Sequence, residues 1–275
     1  MTYQFQALTN DEIYRRAPSV FATAPRGDVS NKYQFIPTLD IVEKLRGEGL
    51  FPVRVNQSLS RTDGGESYAK HQIRFRPALY MEQQYGLLEE FPEIVLVNSH
   101  DRSSGYQISA GIFRKVCTNG MIAQSSDFGT VSVRHSGNII DDVIEGTYEI
   151  IESIPGILEG VERLKAITLD KRESFAFANA AVQLRYPLDS TGAETAPIAA
   201  ESLLKVRRYS DRDKTDLWST FNAVQENLIK GGVRGRGATG KRMSTRAINS
   251  VTEDVRLNKS LWTLADELRK LKEVA

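Results

Sequence analysis

The hydrophobic pattern of the chain changes period near residue 138. Before it, apolar positions recur every second residue or run on continuously, as strands require. FPVRVNQSL alternates through Phe51, Val53 and Val55, and HQIRFRPALY sets Ile73 and Phe75 against Arg74 and Arg76. EIVLVNSHD is continuously apolar in its first half, while YQISAGIFRKVCTNG alternates through Tyr106, Ile108, Ala110 and Ile112. The polar breaks RTDGGESY and RSSG let neighbouring runs double back as hairpins. Asn119-Gly120 reads as a tight turn, and Thr130 to His135 supplies a further strand. Together these predict an antiparallel sheet of roughly five strands.

From Asn138 the spacing becomes helical. Ile140, Val143, Ile144, Thr147, Ile151 and Ile154 share a face until Pro155-Gly156 interrupts it. GILEGVERLKAI, KRESFAFANAAVQLRY, PIAAESLLKVRR and DLWSTFNAVQENLIK predict further helices. The last helix, STRAINSVTEDVRLNKSLWTLADELRKLKEVA, carries Ile248, Val251, Val255, Asn258, Leu261, Trp262, Ala265 and Leu268 as one stripe. Earlier, Thr38 is placed to cap a short helix through Leu39, Val42 and Leu45. The fold class is therefore α+β: an antiparallel β-sheet with hairpins in the first half, packed by helices from the second half. Pro18, Pro25 and Gly27 break up residues 1–36, which read as an N-terminal arm. Residues 37–275 read as a single α+β domain, β-rich over 50–136 and helical over 138–275, with a basic loop at 230–246.

That loop changes the functional picture. Lys+Arg and Asp+Glu nearly cancel over the 275 residues, 36 against 35, for a net charge of +1. Any affinity for a polyanion must then come from where charge is placed, not from its sum. LIKGGVRGRGATGKRMSTR concentrates Lys230, Arg234, Arg236, Lys241, Arg242 and Arg246 among five glycines without one carboxylate. Cations of this density suit phosphates, and glycines let backbone N–H groups approach them. Gly235 to Arg242 matches GxxxxGK[ST] up to its last position, where Arg242 replaces the hydroxyl that would ligate Mg²⁺, and a helical pattern precedes it where a strand is needed. Nucleotide hydrolysis is not expected there. Arg74 and Arg76, on one side of their strand, read as a second basic surface. Tyr80, Tyr85, Phe113 and Phe128 are candidates for base stacking.

Little else points to catalysis. The single cysteine, Cys117, rules out an internal disulfide and a cysteine-rich zinc site. No apolar run approaches the ~20 residues that span a bilayer. Asn98, Ser99, His100 and Asp101 end a strand, but His71 and His135 are the chain's other histidines and lie far off in sequence. A metal centre would need three distant strands, so the expected role of this group is to hydrogen-bond the hairpin, with His100 capping its turn. No GxSxG surrounds Ser99, Ser103 or Ser104.

VNSHDRSSGYQISAGIFRKVCTNGMI, FNAVQENLIKGGVRGRGATGKRMSTRAINS and LNKSLWTLADEL together resemble the phage- and plasmid-borne family catalogued as domain of unknown function 932. Its pattern combines an NSHDG-like hairpin, a VCxNG turn and a QENxxxGG…R element; Arg102 stands here where that pattern has glycine. The resemblance implies a mobile-element setting. By analogy of element order with single-strand annealing proteins, it implies assembly into rings or filaments. The resulting expectation is a non-enzymatic, homo-oligomeric DNA-binding protein, cytoplasmic and without cofactor, metal or membrane partner. Its preferred ligand is single-stranded DNA in recombination or repair, contacted by Arg74, Arg76 and the six cations of the loop. Two alternatives stay open: a metal-dependent nuclease or phosphoesterase using His100 and Asp101, and an accessory protein that binds a host factor without touching DNA.

Overall fold

A computed structural model describes residues 6–27, 34–60, 64–81, 89–115, 119–124, 129–193, 195–236 and 240–274. The chain forms two compact units, residues 1–155 with 249–252, and residues 156–248 with 253–275. This division replaces the expected boundary at residue 36. The stretch read as an arm belongs to the first unit, where α1 (Asn10–Arg16), held by a Thr9/Glu12 capping box, buries Ile13, and Ala17 and Val20 are buried just beyond it.

The first unit is built on a six-stranded antiparallel sheet. Strands β1 (Leu50–Gln57), β2 (His71–Pro77), β3 (Glu90–Asn98), β4 (Tyr106–Arg114) and β5 (Asn119–Ile122) lie in sequence order, and β6 (Thr130–Val133) pairs with β4 beyond the reach of β5. The two predicted hairpins are present as β1–β2 and β3–β4. A register shift between Pro52 and Arg54 flips β1, so Pro52 and Val55 are buried where strict alternation would have paired Val53 with Val55. Asn119 and Gly120 do not form the turn; they are paired with Arg114 and Phe113 inside β5. Cys117, Tyr85 and Phe128 lie outside the described residues.

One face of the sheet carries Ile73, Phe75, Ile94, Leu96, Ile108 and Ala110, all buried. The first part of α3 (Ile139–Ala166) crosses this face so closely that a Cβ on Gly146 would come within 2.6 Å of Val131. α3 buries Ile139, Val143, Thr147, Ile150, Ile154, Ile157, Val161 and Leu164 at helical spacing, and it runs through Pro155 instead of stopping there. The proline forfeits one N–H bond, and buried Ile154 and Ile157 flank it along the helix. α2 (Thr38–Gly47) buries Ile41, Val42 and Leu45. Its N-cap is Pro37, which offers no side-chain bond, and Thr38 is turned inward instead.

The second unit holds the remainder of α3, then α4 (Lys171–Arg185), α5 (Leu217–Lys230) and most of α6 (Val251–Val274). Asp170 and Glu173 form a capping box at α4, and Asp216 caps α5. Trp218 stacks on Phe221 at 5.5 Å, and Trp262 of α6 meets both edge-on at 6.2 and 6.0 Å. PIAAESLLKVRR is not a helix: it makes one 3₁₀ turn at Ala200–Ser202, a turn at residues 203–204, and is otherwise irregular. α6 starts at Val251, later than its periodicity suggests, because residues 245–250 return from the basic segment in irregular form.

Candidate functional site

The first candidate is the end of the sheet where β2 begins and β3 ends. Antiparallel register aligns Gln57 with His71 and His71 with Asn98, while His100 and His135 follow β3 and β6 within two residues. All three histidines of the chain therefore meet, with ring centroids 5.6 Å apart for His71 and His100 and 6.5 Å for His100 and His135. His100 does not cap the turn as expected; it is wholly buried. Asp101 takes the turn instead, accepting the Ser103 N–H at 3.0 Å.

The hydrogen bonds fix the tautomers. Ser19 N–H and Ser19 Oγ both reach Gln57 Oε1, at 3.0 and 2.6 Å, while Gln57 Nε2 donates to the Glu66 carbonyl, so the Ser19 hydroxyl donates to Gln57. His71 Nδ1 lies 2.7 Å from Ser19 Oγ and 3.1 Å from the Ala69 carbonyl, so Nδ1 carries the proton and Nε2 is bare. Thr38 Oγ1 sits 3.0 Å from His71 Nε2, 3.0 Å from His100 Nε2 and 3.1 Å from Asn98 Nδ2. Its one proton goes to His71, leaving it to accept from Asn98 and from the Nε2–H of His100. Asn98 Oδ1 then accepts from His135 Nε2 at 2.9 Å. Burial pushes the imidazoles down, His71 to about 4 and His100 to about 3, with the neighbouring histidines adding to the shift of His100; His135 is also lowered by burial. All three are neutral near pH 7.

The Ser19–His71 pair resembles an activated nucleophile, but the serine proton points to Gln57 and both residues are buried, so His71 is not placed to take it. Among the described residues, no group of three or more His, Cys, Asp or Glu side chains is arranged to hold a metal ion. The cluster is a buried polar network, in which His100 Nδ1 has no hydrogen-bond partner among the described residues, and it ties α2 and the 3₁₀ turn at Pro18–Phe21 to the sheet end.

The second expected surface, Arg74 and Arg76, is overturned. Both are about as buried as the core leucines, at 2% and 1% exposure. Arg76 meets Glu93 at 2.6 Å and lies over the rings of Phe91 and Phe113, at 4.7 and 5.1 Å. Arg74 reaches Glu93 at 3.4 Å and donates to the carbonyls of Met121 and Gly120 at 3.2 and 3.0 Å. It lies flat across β4 and β5 because a Cβ on Gly120 would overlap its guanidinium and one on Gly111 would come within 3.0 Å of it. These arginines face a carboxylate and two glycine slots, not phosphate. Phe113 and Tyr80 are half-buried.

The basic loop is a two-stranded antiparallel ribbon, β7 (Arg234–Arg236) against β8 (Arg242–Ser244). Arg234 lies opposite Ser244, Gly235 opposite Met243, and Arg236 opposite Arg242. Residues paired across a ribbon share a face, so Arg234, Arg236 and Arg242 point one way and Gly235 and Met243 the other. The Gly235 face is pinned: Arg236 N–H donates to the Pro197 carbonyl at 2.8 Å, and a Cβ on Gly235 would collide with that oxygen. The arginine face is exposed, as are Lys241 and Arg246, and among the described residues Arg234, Arg236, Lys241, Arg242 and Arg246 have no carboxylate partner.

The QEN segment of α5 supports the ribbon. Asn227 donates to the carbonyls of Leu203 and Lys205 and accepts from Arg207, which also reaches the Gly231 carbonyl. Burial pushes the Glu226 carboxyl up, but Arg208, bidentate at 2.5 Å, and Lys230 at 2.9 Å outweigh it and hold its pKa down. Lys230 is thus tied to Glu226 and does not join the exposed cations as expected. Gln225 bonds Asn258 at 2.8 Å. Gly231 has φ 65°, and a Cβ there would come within 2.5 Å of the Arg246 carbonyl carbon. Arg185 closes the base by donating to the carbonyls of Leu228 and Arg246.

A family model described as "Domain of unknown function (DUF932)" matches residues 25–262. The chain is 37% identical to the UPF0380 protein YafZ of Escherichia coli K12 and 36% identical to its UPF0380 protein YfjQ. Each alignment covers 95% of this chain and 91% of the relative. No solved structure matches it.

Proposed function

As the chain belongs to this family of unknown function, whose name carries no activity, we propose on geometry that it binds nucleic acid without catalysis, through the ribbon of the second unit. The observation that supports this most is the direct cross-strand pair Arg236–Arg242, flanked by Arg234 on the same exposed face. Like charges placed opposite one another destabilise a ribbon, so this face is suited to an anion that bridges them, and a phosphate backbone supplies one every few ångströms. Single-stranded DNA is the proposed ligand. A phosphate-tracking cationic surface binds it without reading sequence, which fits a role in recombination or repair in the mobile-element setting that the resemblance implies.

The test is a salt titration of binding to single- and double-stranded oligonucleotides. Arg234, Arg236, Lys241 and Arg242 together predict a slope of roughly −3 in log K against log salt on a single strand. No binding at low salt sinks the reading. Self-association belongs to the same proposal, since assembly would set many ribbons along one strand. Light scattering then gives a mass above that of the 30.8 kDa chain, and a monomer with and without oligonucleotide removes that part of it.

A further inference from the structure

The first unit holds a cavity of about 340 Å³ beside the histidine network, lined among others by Arg26, Ser58, Lys70, Asp101, Ser103 and Thr252. The chain carries Lys70 there by its position just before β2, so that its backbone lies at the sheet end while its side chain leaves the core. Lys70 is half-buried, and its ammonium donates to the Ser103 carbonyl at 3.3 Å. Among the described residues it has no other acceptor, which leaves two N–H donors directed at the cavity. Burial pushes its pKa down, with Asp101 opposing the shift. Ser58 Oγ accepts the Val251 N–H at 3.0 Å, so its own proton remains to be donated. Arg26 is fixed through its backbone, which donates to the His100 carbonyl at 3.1 Å, and its charge lies near enough to Asp101 to lower that carboxyl's pKa.

Two cations and two hydroxyl donors from four chain segments thus converge on one small polar cavity, with one carboxylate on the wall. A half-buried ammonium with two N–H donors uncommitted to the protein is available to an anion that enters the cavity. We propose that this cavity binds a phosphate-bearing small molecule: Lys70, Arg26, Ser58 and Thr252 take the phosphoryl oxygens, and Asp101 accepts from a hydroxyl of the same ligand. The volume suits a phosphate monoester of about mononucleotide size. The proposal does not depend on the ribbon, which belongs to the other unit.

The full-length protein is titrated with inorganic phosphate and with a nucleoside 5′-monophosphate against chloride at matched ionic strength, by calorimetry and thermal shift. The expected result is saturable binding, tighter for the monophosphate. It is retained in the Arg234→Gln/Arg236→Gln/Lys241→Gln/Arg242→Gln background and weakened at least about tenfold by Lys70→Met. Thr252→Val, at an exposed position, serves as the second variant should Lys70→Met fail to fold, and it weakens binding too. Absence of binding by both probes overturns the proposal. So does binding that survives Lys70→Met in a folded protein, or that disappears with the ribbon cations. Tighter binding of inorganic phosphate than of the monophosphate overturns the part assigned to Asp101.

Discussion

Arg74 and Arg76 in the sheet and Arg234, Arg236 and Arg242 in the ribbon have the same local signature, arginines at alternate positions of a strand, yet they meet opposite fates. The first pair is buried against Glu93; the second set faces solvent with no carboxylate partner among the described residues. What separates them is what surrounds the guanidinium. β3 brings a carboxylate directly beside Arg76, and β4 and β5 contribute Gly111 and Gly120 where a side chain would block Arg74. β8 brings another arginine. An opposing arginine is common to both, since β1 sets Arg54 opposite Arg74 as β8 sets Arg242 opposite Arg236; a carboxylate within reach and glycine slots for the guanidinium decide which arginine is buried.

The largest effect expected from this contrast comes from Glu93→Gln. It leaves two buried guanidinium groups without their shared carboxylate, and breaking a buried pair costs roughly 3–5 kcal/mol. Denaturant unfolding should show that loss, while the salt slope of oligonucleotide binding in folded protein stays unchanged. A change in slope would return Arg74 and Arg76 to the binding surface.

The matching change in the ribbon is Arg234→Gln, Arg236→Gln, Lys241→Gln and Arg242→Gln together. These side chains are exposed, so stability should move by no more than about 0.5 kcal/mol. Removing four contacts should flatten the single-strand salt slope by roughly 3. An unchanged slope would make the ribbon a solvated tether and put the binding surface elsewhere, whereas no binding by the wild type at low salt would leave the accessory-protein alternative in its place.

The sheet's hairpins, its antiparallel order and the helical second half could be read from period alone, because alternation and 3.6-residue spacing are local properties. Period shows which residues share a face but not whether a second layer covers it, so Arg74 and Arg76 read as exposed. Gly120 read as a turn residue because Asn-Gly usually is one; its slot for Arg74 exists only once β5 lies beside β4. The histidine network was hidden for a related reason. His71, His100 and His135 have no common spacing, and register alone brings them together. The available signal was that each lies within two residues of a strand end, on the side where hairpin parity aligns those ends.

That network predicts acid sensitivity of the first unit. Histidines whose folded pKa lies below the unfolded value contribute no penalty above about pH 6.5. Below it the unfolded chain takes up protons that the folded one refuses, so stability falls as pH drops towards about 4 for His71 and about 3 for His100. At pH 5 the loss is roughly 2 kcal/mol per histidine. His71→Gln should lower stability at pH 7 and reduce the slope of stability against pH between 6.5 and 4. An unaltered slope would show that His71 takes up its proton over the same pH range in the folded and the unfolded chain.

Arg102 is a third kind of arginine, neither buried like Arg74 nor set on the ribbon. It is exposed in the β3–β4 connection and has φ 71°, in the left-handed region where a side chain's Cβ crowds the backbone. The resembling family's pattern has glycine at this position, and the backbone here retains the conformation that glycine favours. The turn is fixed by other groups: Asp101 accepts from Ser103 N–H at 3.0 Å, and Ser99 Oγ accepts from Ser104 N–H at 2.9 Å. Arg102→Gly relieves the left-handed strain, worth roughly 1–2 kcal/mol, against up to ~1 kcal/mol for the added freedom of glycine in the unfolded chain. The expected net is a small stabilisation, of order 0.5 kcal/mol, read as a higher denaturant midpoint with an unchanged m-value. A destabilised Arg102→Gly protein would show that the contacts of the Arg102 side chain outweigh the strain of its backbone.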